Sequence, residues 1–225
     1  MVKYTDFFDI VDNSGNLPIS ALFMTYGFDA GLFEHHVLPA FLGIVDDPNE
    51  NELRFRNQIE LRLKEVPVAV ISDAKQFNGG RTFLYDHIVV GTQTFHPKCY
   101  MLLFKEYLRV IISSGNITKS GLCYNAELVW YEDLYLDKIN SISKELNDIL
   151  IFMNRKYKLD KVVAVQEIRK YLGKCQFAEA FPKVISTCVK QTVFDKIQDE
   201  LKKCNGKCKT ITVMSPFLKM IEKRK

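Results

Sequence analysis

The sequence of 225 residues lacks any apolar run that approaches the roughly 20 residues needed to span a bilayer. Its N-terminus has early acidic residues and no continuous apolar stretch, so it does not show the pattern of a signal peptide. Low-complexity segments are also absent. These absences disfavour a membrane protein and predict a cytoplasmic location. A hydrophobic share of 47% with 26% charged residues is typical of a globular protein.

The chain also lacks a strong excess of charge of either sign. A formal net charge of +4 is too small to indicate nucleic-acid binding by itself. The charge is unevenly distributed, because residues 1–50 are acidic and residues 155–225 hold many of the lysines. A basic C-terminal half could follow a phosphate backbone, although a solvated helical surface is the more common explanation.

The six cysteines show no spacing typical of a disulfide framework, and a reducing compartment would keep them as thiols. Cys204 and Cys208 form a Cys-x3-Cys pair, but a structural zinc site needs about four ligands, and no second pair or nearby histidine completes this one. His35 and His36 are adjacent on a predicted helix and therefore point apart. The sequence predicts neither a metal site nor another cofactor.

Hydrophobic periodicity predicts an α/β layer structure with a mixed sheet, since strands dominate the first part of the chain and helices follow. Strands are predicted over residues 19–25, 66–72, 82–90, 94–104, 107–114, 127–132 and 210–215. Helices are predicted over residues 30–43, where Asp29 is the N-cap and Pro39 is expected to shorten or kink the helix, and over residues 53–64, 137–154, 160–173 and 190–203.

Residues 94–114 predict a hairpin with a tight turn at Lys105-Glu106. His96 and Lys98 are two residues apart on its first strand, so both side chains are expected on the same face. A neutral imidazole can attack phosphorus and form a covalent phosphohistidine. An ammonium can hold the non-bridging oxygens of a phosphate.

Two further polar residues are expected at the same edge of the sheet. Asn116 follows the second hairpin strand, where Ser113-Ser114-Gly115 lets the backbone turn tightly, and Glu127 begins the next strand. A carboxamide is a second ligand for phosphate oxygens, and a carboxylate can fix the tautomer of an imidazole. This set of residue types suits phosphoryl transfer and requires no metal.

The segments His96-Pro97-Lys98 and Ser114-Gly115-Asn116-Ile117-Thr118, followed by Gly121, Asn125 and Glu127, resemble the His-x-Lys motif of the phospholipase D superfamily with its trailing Gly/Ser-x-Asn element. Residues 115–122 are similar to the Ser-x-Asn-x-Thr-x-x-Gly-Leu run of its nuclease-like branch. The resemblance covers residues 92–132 well and residues 19–43 more loosely.

The resemblance implies a role for each site residue. His96 would be the nucleophile or the acid/base, Lys98 and Asn116 would bind phosphate, Glu127 would orient His96, and Ser114 would support the site. Leu103 stands where many members have an Asp, five residues after the lysine. The tyrosyl-DNA phosphodiesterase branch also lacks that Asp, so the difference argues only against a standard lipid-headgroup phospholipase.

The implied fold is a phospholipase-D-like α/β/α sandwich with a central mixed sheet, as one half of a two-fold repeat. Residues 1–135 would form the core and residues 136–209 a mainly helical segment of the same domain. Residues 210–225 would be the possible first strand of a second, absent repeat, because the sequence at 211–219 weakly echoes that at 21–29.

A complete site in this superfamily needs two His-Lys motifs, and this chain has one. The second would come from a homodimer or from a missing C-terminal half, and the echo slightly favours the latter. The expected function is a metal-independent nuclease that acts on nucleic acid or another phosphodiester. A catalytically incomplete nucleic-acid-binding module is the alternative, and a phosphatidyl-transfer enzyme is disfavoured, with no membrane partner expected.

Three other positions have weaker functional readings. His87 is expected to have a structural role on a strand. Tyr26 follows a predicted strand whose end could border the cleft, where it would stack on a base, although packing is the more common role. Trp130 is expected in the core.

Overall fold

A mixed sheet forms the centre of the computed structural model, which describes residues 6–12, 15–76, 83–91, 95–140, 142–177 and 193–203. Within these residues the sheet has six strands, β1 (Pro18–Thr25), β2 (Val68–Asp73), β3 (Asp86–Val90), β4 (Cys99–Phe104), β5 (Leu108–Ser113) and β6 (Val129–Leu134). Their order is β3-β2-β1-β4-β5-β6. The pairs β1–β2 and β2–β3 are parallel, and the pairs β1–β4, β4–β5 and β5–β6 are antiparallel.

Helices pack on both faces of this sheet. The first face carries α1 (Phe7–Val11), α2 (Ala30–Leu32), a π-helical turn (Phe33–Val37), α3 (Leu38–Leu42) and α4 (Glu52–Glu65). The second face carries α5 (Ser143–Tyr157), a 3-10 turn (Leu159–Lys161) and α6 (Val163–Leu172). A short parallel pair, β7 (Ile139–Asn140) and β8 (Gln176–Phe177), lies outside the main sheet.

Strand β1 shows how the sequence separates two cores. Ala21 and Phe23 belong to the core under α1–α4, whereas Leu22 and Met24 belong to the core under α5 and α6. All four are buried, as the alternation of side chains along a strand requires when both faces are covered. The predicted α/β class, with a mixed sheet between helical layers, is confirmed.

The hairpin prediction is also confirmed, but its first strand is shorter than expected. β4 begins at Cys99 rather than at residue 94, so His96 and Lys98 lie in the extended segment before the strand. Pro97 has no N–H and cannot donate to a sheet ladder. The carbonyl of Lys98 still accepts a hydrogen bond from the Ser113 amide at 3.0 Å, which keeps this segment beside β5.

The helix predicted over residues 30–43 is present as three consecutive pieces. Asp29 caps it as predicted, because its side chain accepts a hydrogen bond from the Leu32 amide at 3.0 Å. Pro39 lacks the N–H that an α-helix would need there, and the wider π-helical turn lies directly before α3. Gly43 ends the helix with a φ of 69°.

The helix predicted over residues 137–154 begins later, at Ser143. The Asn140 side chain explains the difference, because its Nδ2 donates to the carbonyls of Tyr135 and Lys138, both at 2.9 Å, and to that of Gln176 at 3.3 Å. These bonds hold residues 135–140 in a turn and a short strand, which a local pattern of apolar residues does not reveal.

Other predicted elements are present with shifted bounds. The strand predicted over residues 82–90 is Asp86–Val90, and the helix predicted over residues 160–173 is Val163–Leu172. The last helix is α7 (Val193–Lys203). The strand predicted over residues 210–215, the echo at 211–219 and the pair Cys204 and Cys208 lie outside the described residues.

The prediction that Trp130 belongs to the core is wrong. Trp130 is 38% exposed and the neighbouring Tyr131 is 48% exposed. Both lie on β6, which is the last strand of the main sheet. A strand at the edge of a sheet has fewer covered side chains than a central strand, and this position could not be read from hydrophobicity alone.

The chain forms two compact units, Met1–Val184 and Ile185–Lys225. The helical segment predicted over residues 136–209 falls partly in each unit, with α5 and α6 in the first and α7 in the second. None of the helices in the described part of the chain is long and apolar enough to cross a membrane.

Candidate active site

One edge of the sheet collects the predicted site residues. The register places Met24, Cys99, Ile112 and Trp130 in one row across β1, β4, β5 and β6. Because neighbouring strands in this row are antiparallel, the ends of β1 and β5 lie beside the starts of β4 and β6. The polar segments that carry His96, Asn116 and Glu127 therefore all leave the sheet at this edge, as the sequence predicted.

His96 and Lys98 are in direct contact. The Lys98 ammonium donates a hydrogen bond to Nδ1 of His96 at 2.9 Å and lies 3.3 Å from Nε2. Partial burial lowers the pKa of His96, and the charge of Lys98 lowers it further, while the charge of Asp73 opposes the shift. The His96 side chain is exposed, and its lowered pKa favours the neutral imidazole. It has the protonation state that a nucleophile needs.

Lys98 is half-buried between the histidine and an acidic group. Burial lowers the pKa of Lys98, and the negative charge of Glu127 opposes that shift. Lys98 thus links His96 with Glu127, because its ammonium contacts the ring of His96 and interacts electrostatically with the carboxylate of Glu127. An ammonium in this position is suited to bind a phosphate oxygen next to the imidazole.

The carboxylate of Glu127 is held by the loop that precedes it. Ser114 Oγ donates a short hydrogen bond to Oε2 of Glu127, and Asn125 Nδ2 donates to Oε1 at 3.4 Å. Ser114 Oγ also accepts from the Leu128 amide at 2.9 Å. Within the described residues, these are the side-chain partners of Glu127, and the role of orienting His96 stays a prediction. Ser114 therefore contacts both Glu127 and Leu128, and its role as a support of the site stays a prediction.

Asn116 is positioned by residues at the end of β1. Its Oδ1 accepts a hydrogen bond from the Gly27 amide at 3.2 Å. The bond engages the oxygen of the carboxamide, and the Nδ2 amino group is its donor end. Buried Thr25 Oγ1 accepts from the Ile117 amide at 3.2 Å and donates to the Gly27 carbonyl at 2.8 Å. These bonds tie the Asn116 loop to β1 and leave Asn116 with a donor group suited to an anion.

Two glycines let this loop fold closely on itself. A Cβ on Gly115 would lie 2.6 Å from the carbonyl oxygen of Gly121, and a Cβ on Gly121 would lie 2.4 Å from the carbonyl oxygen of Asn116. Neither position has room for a side chain. The buried Tyr100 hydroxyl also donates to the Gly115 carbonyl at 3.0 Å. The two glycines of the sequence motif thus fix the backbone of Asn116.

Sequence reasoning missed three residues that shape the site. Thr25 and Tyr100 bind the Asn116 loop as described above. Asp73 lies at the end of β2, is 1% exposed, and accepts a hydrogen bond from the Phe95 amide at 2.6 Å. The available signal was its position as the last residue of a buried parallel strand, because ligand-binding groups collect at the carboxyl ends of such strands.

Tyr26 also lies at the site, although core packing was the more common role expected for its side chain. Its ring centroid is 4.6 Å from that of His96, with an interplanar angle of 43°. Its hydroxyl accepts a hydrogen bond from Gln76 Nε2 at 3.3 Å. The side chain is half-buried and forms one wall beside the histidine.

The remaining residues considered in the sequence make contacts within the fold. His87 shares a 2.8 Å hydrogen bond with Ser72 Oγ, which fits its predicted structural role. His35 bonds the Gly31 carbonyl through Nδ1 at 2.8 Å. Leu103 is buried in the core under α5 and α6, away from the site edge. In the part of the chain that the structure describes, no three His, Cys, Asp or Glu side chains are grouped as metal ligands.

No protein-family model and no curated protein matches the chain. Among solved structures it is similar to yeast tyrosyl-DNA phosphodiesterase, with 12% identity and a TM-score of 0.47 over 72% of this chain and 36% of that chain. Two variants of the yeast enzyme give 9% identity and TM-scores of 0.45 and 0.46, over 72% and 74% of this chain. The chain spans only 36–39% of the length of these enzymes. Similarity at this level does not assign their activity to the chain.

Proposed function

We propose that this chain provides one half of a metal-independent phosphodiesterase site that cleaves nucleic acid through a covalent phosphohistidine at His96. The observation that carries the proposal is the contact between the exposed His96 ring and the Lys98 ammonium, at the sheet edge that also holds Asn116. The resemblance of these residues to the His-x-Lys motif of the phospholipase D superfamily supports the same chemistry.

In the first step a ring nitrogen of neutral His96 attacks phosphorus. The N–P bond forms as the bond from phosphorus to the leaving oxygen breaks. The Lys98 ammonium and the Asn116 Nδ2 bind the non-bridging oxygens, whose charge must be stabilised during the transfer. In the second step water attacks phosphorus and gives its proton to the group that protonated the leaving oxygen, while the N–P bond breaks and His96 returns to its starting state.

The leaving oxygen needs a proton from a general acid. His35 and His87 are already hydrogen-bonded to Gly31 and Ser72, and His36 packs against the Phe8 ring at 5.8 Å. We therefore assign the general acid to a second histidine that faces His96. Either a second copy of this chain or another polypeptide half would supply it.

We base the nucleic-acid substrate on the sequence resemblance, and the cytoplasmic location on the composition of the chain. The second candidate function is a nucleic-acid-binding module that keeps this fold without completing the site. The single His-x-Lys motif of the chain supports that alternative, and Leu103, where many superfamily members have an Asp, argues against a lipid-directed activity.

The test is cleavage of single- and double-stranded DNA oligonucleotides and of bis(p-nitrophenyl) phosphate in EDTA. His96→Ala should abolish cleavage, while His36→Ala, which removes an exposed imidazole elsewhere, should leave it unchanged. An acid-labile protein-bound phosphate in the parent, absent from His96→Ala, would identify the intermediate. A requirement for added magnesium would contradict the mechanism, and full activity in His96→Ala would contradict the site. DNA binding without cleavage would favour the binding module.

A further inference from the structure

Asp73 is a buried carboxylate that the mechanism above does not use. It is 1% exposed and lies at the end of β2, where it is the last residue of the strand. A charged group in such a position needs hydrogen bonds to offset its loss of hydration. Both of its oxygens have them, because Oδ2 accepts from the Phe95 amide at 2.6 Å and Oδ1 accepts from the Lys75 amide at 2.8 Å.

The bond to Phe95 fixes the residue that directly precedes His96. The Phe95 ring is buried in the core under α5 and α6 and packs edge-on against the Tyr157 ring, with centroids 6.0 Å apart. Phe95 is therefore held by its ring on one side and by its amide on the other. The segment that leads into His96 starts from a fixed point.

Asp73 is also hydrogen-bonded to Tyr26, the residue whose ring packs on the histidine. Its own amide donates to the Tyr26 carbonyl at 3.4 Å, and the Tyr26 ring packs on the His96 ring at 4.6 Å. One residue thus joins the two backbone segments whose aromatic rings meet at the site. The two bonds that the Asp73 carboxylate accepts are charge-assisted, and such bonds are among the stronger hydrogen bonds in proteins.

We infer that Asp73 is a positioning residue that holds the His96 segment in the geometry required for attack on phosphorus. This inference rests on the proposed function, but it makes a statement about His96 that can be measured without catalysis. Among the residues that the structure describes, the charged and titratable groups that act on the His96 ring are Lys98 on its own segment, Tyr26 after β1 and Asp73 at the end of β2. Of these, Asp73 carries the negative charge.

The charge of Asp73 gives a second, independent effect on His96. A nearby carboxylate stabilises the imidazolium, so Asp73 raises the pKa of His96 against the opposing effects of burial and Lys98. Asp73 itself stays ionised. Burial opposes its charge, but the amide hydrogen bonds and the charges of Lys75 and His96 outweigh burial and lower its pKa.

The experiment compares the full chain with Asp73→Asn, which keeps the side-chain size but replaces one acceptor oxygen with an amino group and removes the charge. NMR titration follows the four imidazoles, with the His96 signal assigned from its absence in His96→Ala. The pKa of His96 should fall in this variant, because the charge of Asp73 raises it in the parent. The kcat for bis(p-nitrophenyl) phosphate should fall about 10- to 100-fold with little change in KM, since misplacement of a reacting group by about 1 Å has effects of this size.

Asp133→Asn is the matched control. Like Asp73, Asp133 is a carboxylate that accepts two hydrogen bonds, but it is only half-buried and both bonds come from Arg109 on β5. It should lower stability without changing kcat or the titration of His96. Asp73→Glu keeps the charge but displaces the amide contacts. It should leave the pKa of His96 close to that of the parent, accelerate hydrogen exchange of the Phe95 amide, and still lower kcat.

An unchanged His96 titration together with an unchanged kcat in Asp73→Asn would overturn the inference while leaving the proposed function intact. If the parent chain forms no protein-bound phosphate from bis(p-nitrophenyl) phosphate, whose p-nitrophenolate leaves without a general acid, the proposed function fails. The titration and the Phe95 amide exchange still decide the role of Asp73. If Asp73→Asn does not fold, Asp73→Glu decides, and parental amide exchange with parental kcat in that variant would refute the inference.

Discussion

Replacing Gly121 with alanine tests whether the close folding of the Asn116 loop matters. The new Cβ would lie 2.4 Å from the Asn116 carbonyl oxygen and 2.7 Å from the Asn116 amide nitrogen. Both are backbone atoms, so no side-chain rotation relieves the contact. Ordinary contact begins at 3.4 Å, and the Asn116 backbone must therefore move by about 1 Å. Overpacking of this kind costs about 1–3 kcal/mol of stability.

The same displacement moves Asn116, the residue proposed to bind phosphate, so under the proposed mechanism phosphodiester cleavage should fall by about 100-fold. Urea unfolding measures the stability change, and steady-state hydrolysis of bis(p-nitrophenyl) phosphate measures the loss of activity. Gly31→Ala is the control, because a Cβ there would meet only Asp29 Oδ1 at 3.4 Å. It should be tolerated. A Gly121→Ala protein with the unfolding midpoint and rate of the parent would refute the assigned geometry.

Two further predictions concern the neighbours of the site. Thr25→Val removes the partner of the Ile117 amide and the Gly27 carbonyl. It should cost about 1–3 kcal/mol in urea unfolding, the usual penalty for buried unpaired groups. A loss no greater than that of Ser120→Ala, which removes an exposed hydroxyl, would contradict it. Because burial and Lys98 lower the pKa of His96, the decline of cleavage with falling pH should lie on the acid side of the ordinary titration range of histidine. Lys98→Met should raise the pKa of His96 in an NMR titration. A fall in that variant would show that the ammonium does not face the ring.

The parts of the fold that depend on short sequence separations were predicted well. The β4–β5 hairpin joins at Lys105-Glu106, and its strands pair as expected. Asp29 caps the helix that follows it, since an N-cap needs only a side chain and an amide three residues later. The local convergence of His96 with Lys98 follows from the same short-range geometry.

The errors arose where a distant residue determines the local structure. Asn140 delays the start of α5 partly through a bond to the Gln176 carbonyl, 36 residues away in sequence. Trp130 is exposed because β6 is the last strand of the sheet, and strand order is a property of the assembled fold. Neither fact is encoded in the periodicity of the surrounding residues.

The candidate site combines both kinds of information. Its chemical groups lie in recognisable sequence runs, but the contacts that position them connect distant residues, such as Thr25 with Ile117 and Asp73 with Phe95. A threonine or aspartate at a strand end forms no motif, because its function depends on which loop the sheet order places beside it. Since β1 lies between β2 and β4, the loops after β1 and β2 meet the segment before β4. The order of strands therefore determines the geometry of His96, and residues at the ends of β1 and β2 should affect catalysis without touching the phosphate.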